Sequence, residues 1–451
     1  MAYEKESFQT DKAFECFVNA GDKYQIPDGA KADYNSCELR TYRIAISTTG
    51  EYTQFHGGTV ADALAAINTT MNRVNGLYER DFGVTMELIP NTDDVIYTNP
   101  STDPYSNGDT FAMINQVQSV INSVIGSSNY DIGHVFGTDS GGLAGLGVTC
   151  TNSSKARGVT GSSFPVGDPF DVDYVAHEIG HQFGATHTFN NFCFGNRTNA
   201  TAVEPGSGST IMAYAGICSP NVQNNSDDHF HGVSMDQIGF EISSDNCPVV
   251  TSLDNLAPVI DSLTTDVVVP AETPFAITVF ATDPDAEDVL TYNCEQIDNE
   301  ISTQPPVATA QGGPNFRSFS PTQNPTQYFP RLEDLSSFGQ ETWQVLPSVD
   351  RVLSFRCTVR DNAEGGGCTE YEDAEITVST SAGPFFVTQP TLSGITCHPI
   401  SPETVTWDVN NTDLVPINCA TVDIFLSTDP SNTHPEQLAD DVPNTGSAMV
   451  D

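Results

Sequence analysis

His177-Glu178-Ile179-Gly180-His181-Gln182-Phe183-Gly184-Ala185-Thr186-His187 has the form H-E-x-x-H-x-x-G-x-x-H, and no other stretch of the chain constrains its reading as strongly. On a helix, residues i and i+4 share a face, so the imidazoles of His177 and His181 can reach one ion at about 2.0–2.1 Å. Gly184 can take the positive φ that ends a helix and turns the chain, which lets His187 swing back as a third ligand. Three neutral nitrogens and an open fourth position form a catalytic zinc site. Upstream, Asp168 reads as the N-cap, Pro169 as the first helical residue, and Asp171 as an acid favoured by the positive end of the dipole. A lone H-E-x-x-H arises by accident in surface helices, but the added Gly and third His at set spacings make coincidence a poor explanation.

The flanking pattern is that of an α/β layer. Tyr42, Ile44 and Ile46 alternate as in a half-buried strand, and Val60, Ala63, Leu64, Ile67, Met71, Val74 and Tyr78 recur at helical steps. Val84, Met86 and Leu88 alternate again, Phe111 to Ile125 mark a second helix, and Ile132, Val135 and Phe136 form a short apolar run. The glycine-rich stretch Asp139–Gly147 lacks the order and the G-K-[ST] ending of a phosphate loop, so it reads as a tight edge strand or cleft loop. The run Asn224–His231 reads as a solvated loop, not a second metal site, before a C-terminal helix over Met235–Ile242.

The chain of 451 residues carries 59 acidic and 16 basic residues, a formal charge of −43 that would repel phosphate backbones and anionic headgroups. Nucleic acid is therefore not an expected partner, and cation binding or salt tolerance is. No stretch approaches the roughly 18 apolar residues of a membrane span. The 11 cysteines contain no C-x-x-C, which favours disulfides and an oxidising, extracellular setting. The N-terminus lacks a signal-peptide pattern, as in a processed form of a secreted protein. Residues 1–36 read as a leader or pro-segment remnant, 37–255 as the metal-binding domain, 256–382 as an immunoglobulin- or cadherin-like β-sandwich, and 383–451 as a fibronectin type III-like sandwich cut short, with Trp407 in its core.

The motif resembles that of the metzincin metallopeptidases, in which H-E-x-x-H-x-x-G-x-x-H is followed by a Met-turn. Ser209-Thr210-Ile211-Met212-Ala213-Tyr214 is similar to that turn. The resemblance implies a mixed twisted sheet with helices, and Met212 as an apolar base beneath the zinc that does not ligate it. Tyr214 falls where the astacin and serralysin branches carry a tyrosine able to reach the zinc or the transition state. The order of elements, and Ile217-Cys218 after the turn, are most similar to the reprolysin (adamalysin) branch over about residues 37–250. Reprolysins place Asp after the third His, whereas His187-Thr188-Phe189 resembles the pappalysin branch.

The resemblance implies a zinc endopeptidase acting on protein or peptide substrates. A bound water is activated by the metal, and Glu178 takes its proton and passes it to the leaving amine. The reprolysin layout also implies disulfides Cys150–Cys247 and Cys193–Cys218. Two other readings stand beside the enzyme. One is an adhesion protein whose β-sandwiches carry the main role. The other is a latent zymogen with a Cys16 thiolate on the zinc, although a Cys16–Cys37 disulfide is the simpler expectation. Asp283, Asp285 and Asp288, hard oxygen ligands at short spacing, are candidates for a Ca2+ site.

Overall fold

The computed structural model describes residues 16, 18, 37–139, 141–335, 342–390, 402–427 and 436–450. Apart from Cys16 and Val18, the expected leader over residues 1–36 lies outside them.

The first sheet has the order β2-β1-β3-β5-β4, built from β1 (Glu38–Thr48), β2 (Val84–Leu88), β3 (Ile132–Gly137), β4 (Gly141–Ala144) and β5 (Gly158–Gly161). All pairings along this path are parallel except that of β4, the antiparallel edge strand. The glycine-rich stretch is thus an edge strand, as expected. β1 differs from the half-buried strand that alternation suggested: Ile44, Ala45, Ile46 and Ser47 are all buried. Helices on a mostly parallel sheet cover both of its faces.

Helix α1 (Gly50–Phe55) leads into α2 (Val60–Phe82), where the Thr59 hydroxyl accepts from Asp62 N–H and Gly83 closes the C-terminus in the left-handed region. The periodic residues of α2 face inward: Ala63, Ile67, Met71, Val74 and Tyr78 are buried against the sheet. Helix α3 (Thr110–Val124) starts on the Asp109 cap and buries Ile114, Val117 and Ile121.

β6 (Val249–Ser252) returns to pair antiparallel with β1, and the chain enters a second region. There a four-stranded sheet of order β10-β12-β13-β8 (Thr291–Gln296, Arg351–Arg360, Thr369–Ser379, Val267–Pro270) shares a core with a three-stranded sheet β11-β9-β7 (Thr326–Phe329, Phe275–Thr282, Val259–Leu263). Phe275, Ile277 and Val279 alternate inward from β9 to meet Leu353, Phe355 and Ile376. Beyond it, β14 (Phe386–Gln389), β15 (Glu403–Asp408) and β18 (Ser447–Val450) form one sheet, and β16 (Thr421–Leu426) with β17 (Glu436–Pro443) another. Trp407, Ile424 and Val450 are their small core, and the Trp407 indole donates to Asn444 Oδ1.

The second region is bound closely to the first. A disulfide joins Cys37, at the start of β1, to Cys368, at the start of β13. Cys37 is therefore unavailable to Cys16, and the expected Cys16–Cys37 bridge does not form. Cys150–Cys247 and Cys193–Cys218 are present as the family layout implied, and Cys294–Cys357 links paired strands. Tyr371 of β13 packs into the first region's core, and Glu295 of β10 accepts from Gly232 N–H.

Candidate metal centre

The helix that carries the motif does not start as the sequence suggests. Gly167, at φ 71°, takes the N-cap position, and Asp168 instead ion-pairs with Arg73 at 2.9 Å. After one turn, Asp168–Phe170, the backbone widens into a π-helical segment, Asp171–Ala176, before the α-helical His177–Gln182. π-Helical turns of this kind are frequent at functional sites. The widened turn is held from α2, where Tyr78 donates its hydroxyl to Ala176 O and Thr70 donates to the Asp171 carboxylate.

His177 and His181 share one helix face, and Gly184, at φ 92°, turns the chain so that His187 meets them. Each ring donates Nδ1–H to a main-chain carbonyl at 2.7 Å: His177 to Ile211, His181 to Ala185 and His187 to Asn196. These bonds fix the tautomer and leave the Nε2 lone pairs facing one another. His181 Nε2 lies 3.1 Å from Nε2 of both His177 and His187. Tetrahedral zinc at about 2.0–2.1 Å needs its nitrogens about 3.3 Å apart, so the three rings fit such an ion. Burial lowers the basicity of all three, bringing His177 to about 4 and, with His177 close by, His187 to about 3. The rings are thus neutral at pH 7, as ligands must be.

Glu178 is fully buried, and no N–H or hydroxyl group donates to its carboxylate, against which only the Cys16 thiol lies among the described residues. Burial pushes its pKa up to about 8. A buried carboxylate next to three inward imidazoles, with a thiol as its one neighbouring donor, calls for a chemical role.

Beneath the helix, Met212 is wholly buried against Gly180. Tyr214 packs its ring 4.7 Å from His187 and 4.4 Å from Phe189. Two contributors escaped sequence reasoning. Buried Glu204 accepts from the Thr188 and Thr210 hydroxyls and from the Ser209 and Thr210 N–H groups, which ties the third histidine's segment to the Met212 segment. Asn196 supports His187 through its carbonyl. Neither sits in a motif, and both act through contacts that only the folded chain creates.

Cys16 also reaches the cluster. Its Sγ lies 3.5 Å from His181 Nε2, and together with the three histidines it could share one metal ion. Burial, and then the Glu178 carboxylate, raise the thiol's pKa.

Two other sequence readings change. His229 and His231 are not on a solvated loop: both are buried, His229 Nε2 lies 3.0 Å from Ser318 Oγ, and His231 caps the helix Gly232–Ser244. Among the acids, Asp283 and Asp288 come together with buried Asp361, close enough to share a cation, while Asp285 accepts from Leu256 N–H. Periodicity could not anticipate Asp361, which arrives from the end of β12.

Residues 38–240 match the model of the metallopeptidase family M12B, reprolysin-like. Over that stretch the chain is similar to the reprolysin-like metzincins, and the match supports a zinc metallopeptidase, a hydrolase of peptide bonds. A search of curated proteins found no match. Thr188, which follows His187 where reprolysins place Asp, donates to Glu204. No helix among the described residues is long and apolar enough to cross a membrane.

Proposed function

We propose that the protein is a secreted zinc endopeptidase in which His177, His181 and His187 hold the metal and Glu178 moves the proton. The observation that carries this reading is the wholly buried Glu178 carboxylate beside three imidazoles whose Nε2 atoms converge. Zinc, when bound, supplies Lewis acidity to the hydrolysis. Glu178 accepts a proton from the attacking water on a carboxylate oxygen and delivers it to the departing amine nitrogen. Its poor solvation makes the carboxylate a stronger base than an exposed one. The carbonyls of Ile211, Ala185 and Asn196 hold the imidazoles in place through turnover. Met212 gives the helix an apolar floor in the manner of a Met-turn, and Tyr214 contacts the reacting centre. Four disulfides among the described residues suit an oxidising compartment. Hydrolysis of a quenched casein peptide, abolished by a chelator and restored by zinc, tests the reading; a zinc-loaded chain inert on every protein substrate would overturn it.

One observation favours a second state of the same enzyme. The proximity of Cys16 Sγ to His181 Nε2 supports a latent form in which this thiol takes the position that water needs. Replacing Cys16 should then raise the activity. The second region, which we read as a β-sandwich, reads also as a Ca2+ site at Asp283, Asp288 and Asp361, because Asp283 Oδ2 and Asp288 Oδ2 are buried without a donor. A melting temperature that calcium does not raise would count against it.

A further inference from the structure

The Cys16 carbonyl oxygen receives two side-chain donors: the Tyr214 hydroxyl at 2.6 Å and the Asn196 amide, Nδ2, at 3.0 Å. The same residue's thiol is at the histidine cluster, so this carbonyl lies within one residue of the metal position. Cys16 also forms a bridge with Gly142 of β4, the edge of the first sheet. A segment paired to that edge is held through main-chain groups, which every peptide has.

We propose that Asn196, acting with Tyr214, grips a backbone carbonyl of the peptide substrate when the substrate replaces Cys16 in the cleft. The inference rests on the peptidase reading and adds a binding residue to it. Both donors are fixed before any chain arrives. Tyr214 is packed between His187 and Phe189, and Asn196 is anchored through its own carbonyl, which accepts from His187 Nδ1. That anchor uses the main chain, which leaves the side-chain amide to the Cys16 carbonyl and to the neighbouring Tyr214 hydroxyl. A carbonyl oxygen has two lone pairs and can satisfy both donors at once. Such a grip orients the substrate without reading its side chains.

The test compares chains in a Cys16→Ala background, with zinc content measured for each. Asn196→Ala should lower kcat/KM on a quenched casein peptide by about tenfold or more, the size of one lost hydrogen bond of this kind, at unchanged zinc. Asn196→Asp, which keeps the shape but turns the donor into an acceptor, should lose at least as much. Adding Tyr214→Phe should cost less than the product of the single losses, because both donors serve one oxygen. Binding of a fluorescent casein peptide to the Cys16→Ala, Glu178→Gln chain reads the grip without turnover, and Asn196→Ala should weaken it about tenfold. Asn196 variants within twofold of their parent in both measurements, at full zinc, would overturn the proposal. A Cys16→Ala parent that binds the peptide through Asn196 yet never cleaves it would overturn the peptidase reading and leave the grip standing.

Discussion

The Arg360 guanidinium donates to the Asp81 carboxylate at 2.8 Å across 279 residues of sequence, and neither side chain reaches solvent. Arg360 ends β12 in the second region, and Asp81 lies in the last turn of α2, which packs on the segment leading into the His177–Gln182 helix. Burial works against the Asp81 charge, but Arg360 and Arg80 hold the carboxyl far below the usual carboxylate range. Asp81→Ala should therefore strand a buried guanidinium and cost about 3–5 kcal/mol of stability. Urea unfolding of the full chain measures this, and a loss under about 1 kcal/mol would contradict a shared core.

Acid should loosen the same junction. Burial disfavours the Glu295 charge, yet facing His231 and His229 and the Ser318 hydroxyl hold its pKa down at about 2. A carboxyl depressed on folding stabilises fully above its unfolded pKa, about 4.3, and that stability is lost as pH falls towards 2. The melting temperature of the natural chain should fall between pH 5 and 2 more steeply than that of Glu295→Gln. Parallel curves would contradict the assignment.

Gly180 has no room for a side chain. A Cβ there would lie 2.5 Å from the Met212 sulfur. Gly180→Ala should force the helix and the Met212 segment apart, costing about 1–3 kcal/mol and lowering zinc occupancy. Full occupancy and unchanged stability would show that Met212 does not press on the helix.

How much of this was legible in the sequence follows from the range of each contact. His177, His181, Gly184 and His187 interact within one helix and its turn, so their spacing encodes their geometry. Helices α2 and α3 were legible because Ile67, Val74, Ile114 and Ile121 repeat with the helical period. The π-helical turn was not, since Asp168 and Pro169 carry start signals that Arg73, a distant partner, redirects. Glu204, Asn196 and Asp361 lie in no periodic pattern, and their roles arise from loops brought together by tertiary packing. His229 and His231 are buried for the same reason: an Asn- and Asp-rich run looks solvated until Glu295 arrives from another sheet to cover it.

The Cys37–Cys368 bridge closes the longest loop of the four. Peptide mapping without reductant should recover these two cysteines in one linked fragment. The paired Cys37→Ser, Cys368→Ser chain should lose about 2–5 kcal/mol while keeping its zinc. Recovery of Cys37 linked to Cys16 would refute the pairing and, with it, the place of Cys16 at the metal.

The central claim is that the histidines hold zinc and Glu178 carries the proton. Zinc per chain by elemental analysis, measured beside turnover of a quenched peptide in Glu178→Gln and His181→Ala, separates the two roles. Glu178→Gln should retain zinc and lose about 10²–10⁴-fold or more in rate, because an amide has no basic site. His181→Ala should lose the metal itself, since two imidazoles hold it poorly. A Glu178→Gln chain that turns over at near the natural rate would contradict the account, however well its histidines bind.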